Sequence, residues 1–266
     1  MKYQKINTSD YRLNLADDFP QNAVFGGISG AMFVDGQRSS FIKLSSSKFA
    51  NVFKFDLAFK GKVYNLILKQ YLNRSFSDIL KNHLLPCRAE RAFKAGLMLE
   101  RNGFLTPPIV AVGKKVCMGL ASRNFLITSE IKNAVSLPEL LNENIPQRHR
   151  LIEQFGRTVG IMHGKNIFHG DLRLGNVLVK STGGKFVFIF LDNERTRKFW
   201  LLPDRRRVKN LVQINMLRDN ISNADRMRFF REYLKHQHTK LNREDLITEI
   251  IARTNKRLAD KGIRIV

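Results

Sequence analysis

The segment His169–Val179 constrains the fold of this chain more than any other part of the sequence. It reads His-Gly-Asp-Leu-Arg-Leu-Gly-Asn and continues directly into an apolar run that predicts a strand. A short loop ahead of a strand lets the carboxylate of Asp171 and the amide of Asn176 converge on one point. The alternative is a polar surface loop, which gives no reason for the Asp, the Asn and the apolar run to occur together.

This spacing matches the catalytic loop of kinases, His-x-Asp-Leu-x-x-x-Asn before an apolar strand. Phosphoryl transfer needs a carboxylate that accepts the proton of the attacking hydroxyl, and an amide oxygen that holds Mg²⁺ against the phosphates. We therefore predict that Asp171 is the catalytic base and that Asn176 is a Mg²⁺ ligand. Arg173 lies between them and is expected to neutralise charge on the transferring phosphate.

A second apolar run, Phe186–Leu191, ends in Asp192. Kinases place their main Mg²⁺ ligand at the end of such a strand, downstream of the base. The usual Phe-Gly is replaced by Asn193 and Glu194, but the metal role requires only the carboxylate. We predict that Asp192 binds Mg²⁺, and the alternative is an Asp that caps the end of a strand.

Lys69 ends the predicted strand 63–69, at the position of the lysine that binds the α- and β-phosphates of ATP. Strands often end in lysine, so the position alone is a weak signal. The lysine needs a carboxylate partner from the following helix. Glu90, in the first turns of a helix predicted over 86–102, is the favoured partner, while Glu100 lies at the far end of that helix. A solvated helix charge remains the alternative for Glu90.

Two further segments are expected to contact the nucleotide. Glu130 and Ile131 follow an apolar strand, where a two-lobe kinase has the hinge whose backbone binds adenine. The sequence has no Gly-x-Gly-x-x-Gly ahead of Lys69, and the equivalent turn contains Ser46 and Ser47. Their amides and hydroxyls can face phosphate, although an ordinary polar loop is equally open.

The order of elements predicts two lobes. The chain is β-rich with one main helix up to about residue 131, and mostly helical beyond it. This order predicts an α+β fold of the bilobal, protein-kinase-like kind. Residues 1–131 are expected to form an antiparallel sheet lobe that binds the nucleotide, and residues 132–266 a helical lobe that carries the catalytic loop and the acceptor site.

The charge of the chain favours an anionic partner. Lys and Arg total 46 against 23 Asp and Glu, which gives a net charge of +23. Such a surface attracts nucleic acid, anionic lipid or a phosphorylated substrate. No helix-turn-helix, RNA-recognition or zinc-finger signature is present, so a nucleic-acid partner is not predicted. The basic residues that follow Asp192 favour an anionic acceptor, with a solvated helix face as the alternative: Arg195, Arg197, Lys198, Arg205, Arg206, Arg207 and Lys209.

The same sequence features set expectations for the compartment. Cys87 and Cys117 do not form a disulfide framework, and the N-terminus lacks the apolar region of a signal peptide. The apolar runs are too short to span a bilayer. We expect a reduced, cytosolic protein whose surface makes any membrane contact.

Together these residues resemble the lipopolysaccharide kinase (Kdo/WaaP) family. The likeness runs from about Ser45 to Tyr233 and includes the loop at 169–179, the segment 191–197 and the stretch from Asp225 to Phe229. The resemblance implies ATP- and Mg²⁺-dependent phosphorylation of a sugar hydroxyl, of Kdo or heptose, in the lipopolysaccharide inner core. It also implies a lipid A-linked acceptor and peripheral contact with the inner face of the bacterial inner membrane.

Two other functions stay open at this point. One is a small atypical protein kinase that acts on Ser, Thr or Tyr hydroxyls. The other is a non-catalytic, pseudokinase-type module that binds anions or membranes, although the joint presence of Lys69, Asp171, Asn176 and Asp192 argues against it. Trp200 is expected to pack against the segment that follows Asp192, with contact to the substrate as the alternative. The sequence does not predict the oligomeric state.

Overall fold

The computed structural model divides the chain into two compact units, Met1–Gly96 with Pro107–Lys132, and Leu97–Thr106 with Asn133–Val266. The residues it describes are 2–9, 11–19, 41–45, 49–59, 61–72, 85–117, 120–143, 145–217, 220–237 and 242–263.

The first unit contains a seven-stranded antiparallel sheet in the order β1-β2-β6-β7-β5-β4-β3. The strands are β1 Tyr3–Asn7, β2 Tyr11–Ala16, β3 Phe41–Leu44, β4 Ala50–Phe59, β5 Lys62–Tyr71, β6 Ile109–Cys117 and β7 Leu120–Ser129. Residues 51–57, whose alternating apolar and polar residues predict a strand, correspond to β4, and the predicted strand 63–69 corresponds to β5. Gly61, with φ of +75°, occupies the turn that joins them; the left-handed backbone there suits glycine.

Both faces of this sheet carry buried apolar residues. Leu66 and Leu68 in β5 pack with Phe125 and Ile127 of the neighbouring β7 on one face. Tyr71 is buried in a separate cluster on the other face, together with residues of the helix that covers it. Lys69 lies near the end of β5, between the buried Leu68 and Gln70.

The helix that covers this face is α1, Arg88–Arg101, close to the predicted span 86–102. Ala89 and Ala92 are buried against the sheet. Gly103 follows the helix with φ of +83°, the left-handed conformation that commonly ends helices.

The second unit is mainly helical. Its helices are α2 Leu137–Asn142, α3 Arg148–Gly164, α4 Asp204–Asn215, α5 Asn223–Leu234 and α6 Arg243–Ala259. A three-stranded sheet joins β8 Val135–Ser136, β10 Val177–Thr182 and β11 Lys185–Phe190, and a short pair joins β9 Ile167–Phe168 to β12 Arg197–Lys198. The sequence also offers helix candidates at 206–218, 224–235 and 243–259, which correspond to α4, α5 and α6.

Small residues let two helices of this unit pack closely. A Cβ added to Gly156 would lie 2.3 Å from the carbonyl oxygen of Phe229, and one added to Gly160 would lie 2.7 Å from that of Tyr233. Glycines four positions apart lie on one face of α3, so α5 approaches that face at backbone distance. Among the described residues, no helix is both long enough and apolar enough to cross a membrane.

Candidate active site

The loop between β9 and β10 carries the predicted base. Its backbone turns tightly: Arg173 N–H donates to the Asp171 carbonyl at 2.9 Å, and Asn176 N–H donates to the Arg173 carbonyl at 2.9 Å. The side-chain amide of Asn176 also donates to the Asp171 carbonyl, at 2.9 Å. Since its NH₂ group faces the loop, the Asn176 side-chain oxygen remains the group suited to a cation.

The carboxylate of Asp171 is held through one of its two oxygens. Oδ1 accepts a hydrogen bond from Gln213 Nε2 at 3.1 Å and forms an ion pair with Arg173 Nε at 3.0 Å. Both of the side-chain contacts that the described residues make with this carboxylate are to Oδ1. Oδ2 is therefore the oxygen left to receive a proton.

The two predicted Mg²⁺ ligands lie at the same end of the β10–β11 hairpin. Val177 pairs with Phe190, and the ladder continues where Leu191 N–H donates to the Asn176 carbonyl at 2.8 Å. Asp192 is the next residue, so the hairpin register places it beside Asn176. Its φ of +55° ends the strand abruptly, and its side chain does not cap the following turn.

His169 joins the catalytic loop to the segment after Asp192. Its Nδ1 accepts from the Asp171 N–H at 3.3 Å, so the proton resides on Nε2, which donates to Asn193 Oδ1 at 3.0 Å. Asn193 in turn donates to the Phe190 carbonyl at 3.1 Å. Complete burial lowers the pKa of His169, which keeps the ring neutral. Asn193, which stands where kinases usually have a Phe, thus links the catalytic loop to the end of β11.

Helix α4 supplies two side chains that bind the backbone of the same loop. Asn210 accepts from His169 N–H at 3.2 Å and donates to Gln213 Oε1 at 2.9 Å. Gln213 Oε1 also accepts from Leu172 N–H at 3.2 Å. Both side chains are buried, so the loop is fixed by amides whose partners are all internal.

The chain of buried polar groups continues to α3 and α5. Because Asn210 Oδ1 can only accept, His163 Nε2 carries the proton and donates to it at 3.1 Å. Tyr233 Oη then donates to His163 Nδ1, 3.0 Å away. Burial lowers the pKa of His163 to about 3, so the imidazole is neutral. His163 therefore has a structural role one helix away from the predicted base.

The loop that carries Asp171 packs closely against the segment that follows Asp192. A Cβ added to Gly170 would lie 2.0 Å from the Cβ of Arg195. Only glycine fits at that separation, which explains the Gly between His169 and Asp171. Glu194 is buried and forms an ion pair with Arg195 at 3.7 Å, whereas Asp192 is more accessible.

Basic side chains crowd the surface beside this loop. The pKa of Lys209 is lowered, first by its partial burial and then by the positive charges of Arg206, Arg195 and Arg257. Arg206 and Lys209 both lie over the ring of Phe168, 5.1 and 5.6 Å from its centroid. Mutual repulsion of this kind favours binding of an anion, which relieves it.

The structure contradicts the expected packing of Trp200. Trp200 is 99% exposed, although Leu202, two residues further along the chain, is buried. The loop turns its backbone toward the protein and its indole toward solvent.

In the first unit, the predicted carboxylate partner of Lys69 has other contacts. Glu90 accepts from Cys87 N–H at 2.8 Å and pairs with Lys114 at 3.6 Å. The first contact has a local cause, because Glu90 is the third residue of α1 and reaches back to the residue before the helix. The Lys69 ammonium lies 5.2 Å from the centroid of the Tyr71 ring. Lys114 is a residue that the sequence analysis did not select.

The predicted hinge and phosphate loop are only partly described. Glu130 N–H donates to the Asn65 carbonyl at 2.9 Å, and its side chain pairs with Lys54 at 2.6 Å. The amide of Glu130 is therefore used within the sheet, and its carbonyl and the Ile131 backbone remain the candidates for adenine. Ser46 and Ser47 lie outside the described residues.

Comparison with known proteins identifies the family. The sequence profile of the lipopolysaccharide kinase (Kdo/WaaP) family matches residues 46–233. The chain belongs to this family. This match confirms the family that the sequence predicted. The family is described as one of lipopolysaccharide kinases.

Two individual proteins illustrate the likeness. A 3-deoxy-D-manno-octulosonic acid kinase of Haemophilus influenzae is 29% identical over 153 residues, which are 56% of this chain and 57% of that protein. A solved structure of WaaP in complex with acyl carrier protein superposes with a TM-score of 0.65 at 19% identity, and covers 92% of this chain and 98% of that one. The predicted α+β, protein-kinase-like fold is confirmed by this match.

The residues present fit a Mg²⁺ ion. Within the described residues, no group of three or more His, Cys, Asp or Glu could hold a metal by itself. Mg²⁺ typically takes one or two carboxylates and completes its shell with water and substrate phosphates. One carboxylate from Asp192 and one amide oxygen from Asn176 are therefore a suitable donor set for Mg²⁺ delivered with ATP.

Proposed function

We propose that this protein is an ATP-dependent kinase that phosphorylates a sugar hydroxyl, of Kdo or heptose, in the lipopolysaccharide inner core. The observation that carries the proposal is the Asp171 carboxylate, which is held through Oδ1 beside Asn176 and Asp192. Membership of the lipopolysaccharide kinase family supports the choice of acceptor.

In this proposal Asp171 Oδ2 accepts the proton of the attacking sugar hydroxyl. The bonds from Gln213 and Arg173 to Oδ1 fix the rotation of the carboxylate and so aim Oδ2. The Arg173 side chain is 58% exposed, so its terminal guanidinium nitrogens would contact the transferring phosphoryl group while its Nε stays on Oδ1. A positioned base typically contributes about 10²–10⁴ in rate.

Asn176 and Asp192 would hold Mg²⁺. The ion would neutralise charge on the phosphates as the phosphoryl group leaves. What the protein itself contributes is the hairpin register that holds the two ligands at adjacent positions, and the His169–Asn193 link that fixes the Asp192 segment.

Residues of the first unit are proposed to bind the nucleotide. Lys69 would contact the α- and β-phosphates, with Ser46 and Ser47 near them, and Glu130 and Ile131 would bind adenine through their backbones. Glu90 would support Lys69 after leaving Lys114. Residues 1–131 are proposed as the nucleotide-binding lobe and 132–266 as the lobe that binds the acceptor.

The basic surface of the second unit is proposed to receive the acceptor. Arg195 and Arg206 lie close enough to Lys209 for their positive charges to lower its pKa, and the carboxylate of Asp171 acts on Lys209 in the opposite direction. The inner core and lipid A carry carboxylates and phosphates, which such a surface binds. We propose that the protein works at the inner face of the bacterial inner membrane, in peripheral contact with anionic lipid.

The deciding experiment is incubation of the protein with labelled ATP and deacylated lipopolysaccharide core, followed by mass spectrometry of the product. We expect one added phosphate, and its loss in Asp171→Ala. Asp260→Ala, at an exposed carboxylate after α6, serves as the control. A neutral peptide phosphorylated faster than the core would instead support a protein kinase. No transfer to either acceptor would support the non-catalytic alternative.

A cavity in the helical unit adds a proposal about a partner. It has a volume of about 450 Å³, and its lining is mostly apolar, from α2 through α6, including Leu141, Phe155, Leu211, Phe230 and Ile250. The WaaP structure contains acyl carrier protein, a carrier of apolar acyl chains. We propose that this protein also binds an acylated carrier protein and that the acyl chain enters the cavity.

This second proposal has its own test. Acylated carrier protein should raise the melting temperature of the kinase, and carrier protein without an acyl chain should not. Ile247→Trp, which adds volume at the lining, should remove the effect. Equal stabilisation by both forms of the carrier would refute a role for the cavity.

A further inference from the structure

The loop between β12 and α4 displays an apolar tip. Trp200 is 99% exposed and Leu201 is 68% exposed, and the two are adjacent. Single exposed apolar residues are common and need no explanation. A fully exposed indole beside an exposed leucine is different, because it places a large apolar area in water at one point.

The backbone that carries this tip is firmly held. Asn166, itself in the left-handed conformation, binds the loop at three points. Its carbonyl accepts from Phe199 N–H at 2.9 Å, and its Oδ1 accepts from Leu202 N–H at 3.0 Å. Its Nδ2 donates to the Trp200 carbonyl at 3.0 Å. The tip is therefore presented by an ordered turn anchored at the buried Leu202.

The surroundings of the tip are basic. Both residues of β12, Arg197 and Lys198, are exposed, and Lys198 Nζ is fixed by a 2.8 Å bond to Asn102 Oδ1. Arg205 is exposed at the start of α4. The nearest carboxylate along the chain, Asp204, is paired with Arg207 at 3.3 Å.

We propose that the Phe199–Leu202 loop inserts into the interface of an anionic lipid bilayer. Trp is the side chain that favours the boundary between headgroups and acyl chains, because its ring is apolar and its N–H is polar. Lys and Arg beside it bind anionic headgroups, each contributing about 1 kcal/mol near the surface. This inference deepens the proposed function, since it names the segment that brings the kinase to a membrane-anchored acceptor.

The chain offers a direct probe of this proposal. Trp200 is its only tryptophan, so intrinsic fluorescence reports on this position alone. Wild-type protein is titrated with vesicles of phosphatidylcholine and phosphatidylglycerol that contain no lipopolysaccharide. We expect a blue shift of the emission and protection from acrylamide quenching, and neither with phosphatidylcholine alone. Vesicle binding without any change in the fluorescence would overturn the proposal.

Variants separate the apolar and basic contributions. Trp200→Ser should lower the vesicle partition coefficient about tenfold, whereas Val63→Ser, at a residue that is 58% exposed, should not. Lys198→Gln should weaken binding to anionic vesicles more than Lys185→Gln, a change at an exposed lysine of β11. Equal effects within either pair would overturn the assignment.

A contact of Trp200 with the sugar acceptor is the competing explanation. Activity on water-soluble deacylated core distinguishes it, because a membrane anchor has no role in that assay. We expect Trp200→Ser to keep wild-type kcat/KM there and to lose activity on acceptor embedded in vesicles. Unchanged vesicle binding with a loss on the soluble core would refute the proposal. The fluorescence titration needs no kinase activity, so its outcome is independent of the proposed function.

Discussion

Replacement of Gln213 by Leu is predicted to reduce the turnover of the kinase through Asp171. Gln213 does not face the acceptor in this scheme, since its Nε2 donates to Asp171 Oδ1 at 3.1 Å and its Oε1 accepts from Leu172 and Asn210. It is a positioning residue. Without it, Arg173 alone would hold Oδ1, and the carboxylate could rotate away from the acceptor hydroxyl.

The expected magnitude follows from the bond that is lost. A hydrogen bond to a charged group contributes about 1.5–3 kcal/mol. The Asp171 side chain is 24% exposed, so water replaces part of that interaction and the lower part of the range applies. A barrier increase of about 1.5–2 kcal/mol corresponds to about a tenfold to thirtyfold loss in kcat. The KM values for ATP and acceptor should change little.

A double-mutant cycle separates positioning from general damage. Residual turnover is measured for wild type, Gln213→Leu, Asp171→Asn and the double variant. If Gln213 acts through the base, its replacement should cost much less in the Asp171→Asn background than in wild type. Equal losses in both backgrounds would refute the reasoning, because they would show that Gln213 affects turnover independently of Asp171.

A structural loss is expected alongside the kinetic one. The variant leaves the Leu172 N–H without an acceptor and removes one of the two acceptors of Asn210 Nδ2, which keeps its bond to the His169 carbonyl. The expected cost is about 1–3 kcal/mol in unfolding free energy. Gln154→Leu is the matched control, since Gln154 Oε1 accepts from Phe186 N–H at 2.9 Å and makes no contact with Asp171. It should lower the melting temperature comparably while kcat is retained.

Three further outcomes can be checked with single variants. Asp192→Asn should weaken Mg·ATP binding in calorimetry more than Glu194→Gln, because Glu194 is buried against Arg195, and equal losses would contradict the assignment. The unfolding free energy should fall by up to about 1.4 kcal/mol per pH unit as the pH drops from about 6.5 to 3. In this range His163 takes up a proton in the unfolded state but stays neutral in the folded state, where its pKa is about 3. In thermal melts, His163→Gln should flatten this slope and the exposed His149→Gln should not. Gly160→Ala should destabilise the fold by about 1–3 kcal/mol because its Cβ would meet the Tyr233 carbonyl, whereas Gly175→Ala, with open space around it, should leave the melting temperature nearly unchanged.

The candidate catalytic segments could be proposed from the sequence because the chemistry expected of them imposes a local order. The loop at 169–179 and the strand ending at Asp192 are each short, so the residues that act together are close along the chain or joined by one hairpin. The main helices were predicted for a similar reason, since apolar spacing is a local property. The span predicted for α6, 243–259, coincides with the observed helix.

Contacts between distant segments could not be predicted in this way. Nothing in the sequence near residue 213 relates that Gln to Asp171, which lies 42 positions away and meets it only because α4 packs beneath the loop. The strands β1 and β2 were missed, although Tyr11, Leu13 and Leu15 alternate with polar residues in β2, which is a local strand pattern. The expectation that Trp200 packs was wrong because local apolarity predicts burial, whereas the turn held by Asn166 reverses the direction of the side chain.

The partner of Glu90 is the clearest case in which geometry selects between equivalent sequence candidates. Asn124 of β7 pairs with Tyr71 of β5 and with Lys114 of β6, so these three residues lie on one face of the sheet. Lys69 shares this face because it lies two residues before Tyr71. The sheet therefore presents both Lys69 and Lys114 toward α1. An ion pair as accessible as Glu90–Lys114 contributes at most about 1 kcal/mol, which corresponds to about a fivefold change in affinity. Lys114→Met should therefore change the KM for ATP by about fivefold at most, whereas loss of a lysine that binds phosphate should cost about tenfold to a hundredfold. Steady-state kinetics of Lys114→Met and Lys69→Met decide which of the two lysines binds phosphate. A larger increase in the KM for ATP in the Lys114 variant would assign that role to Lys114 instead of Lys69.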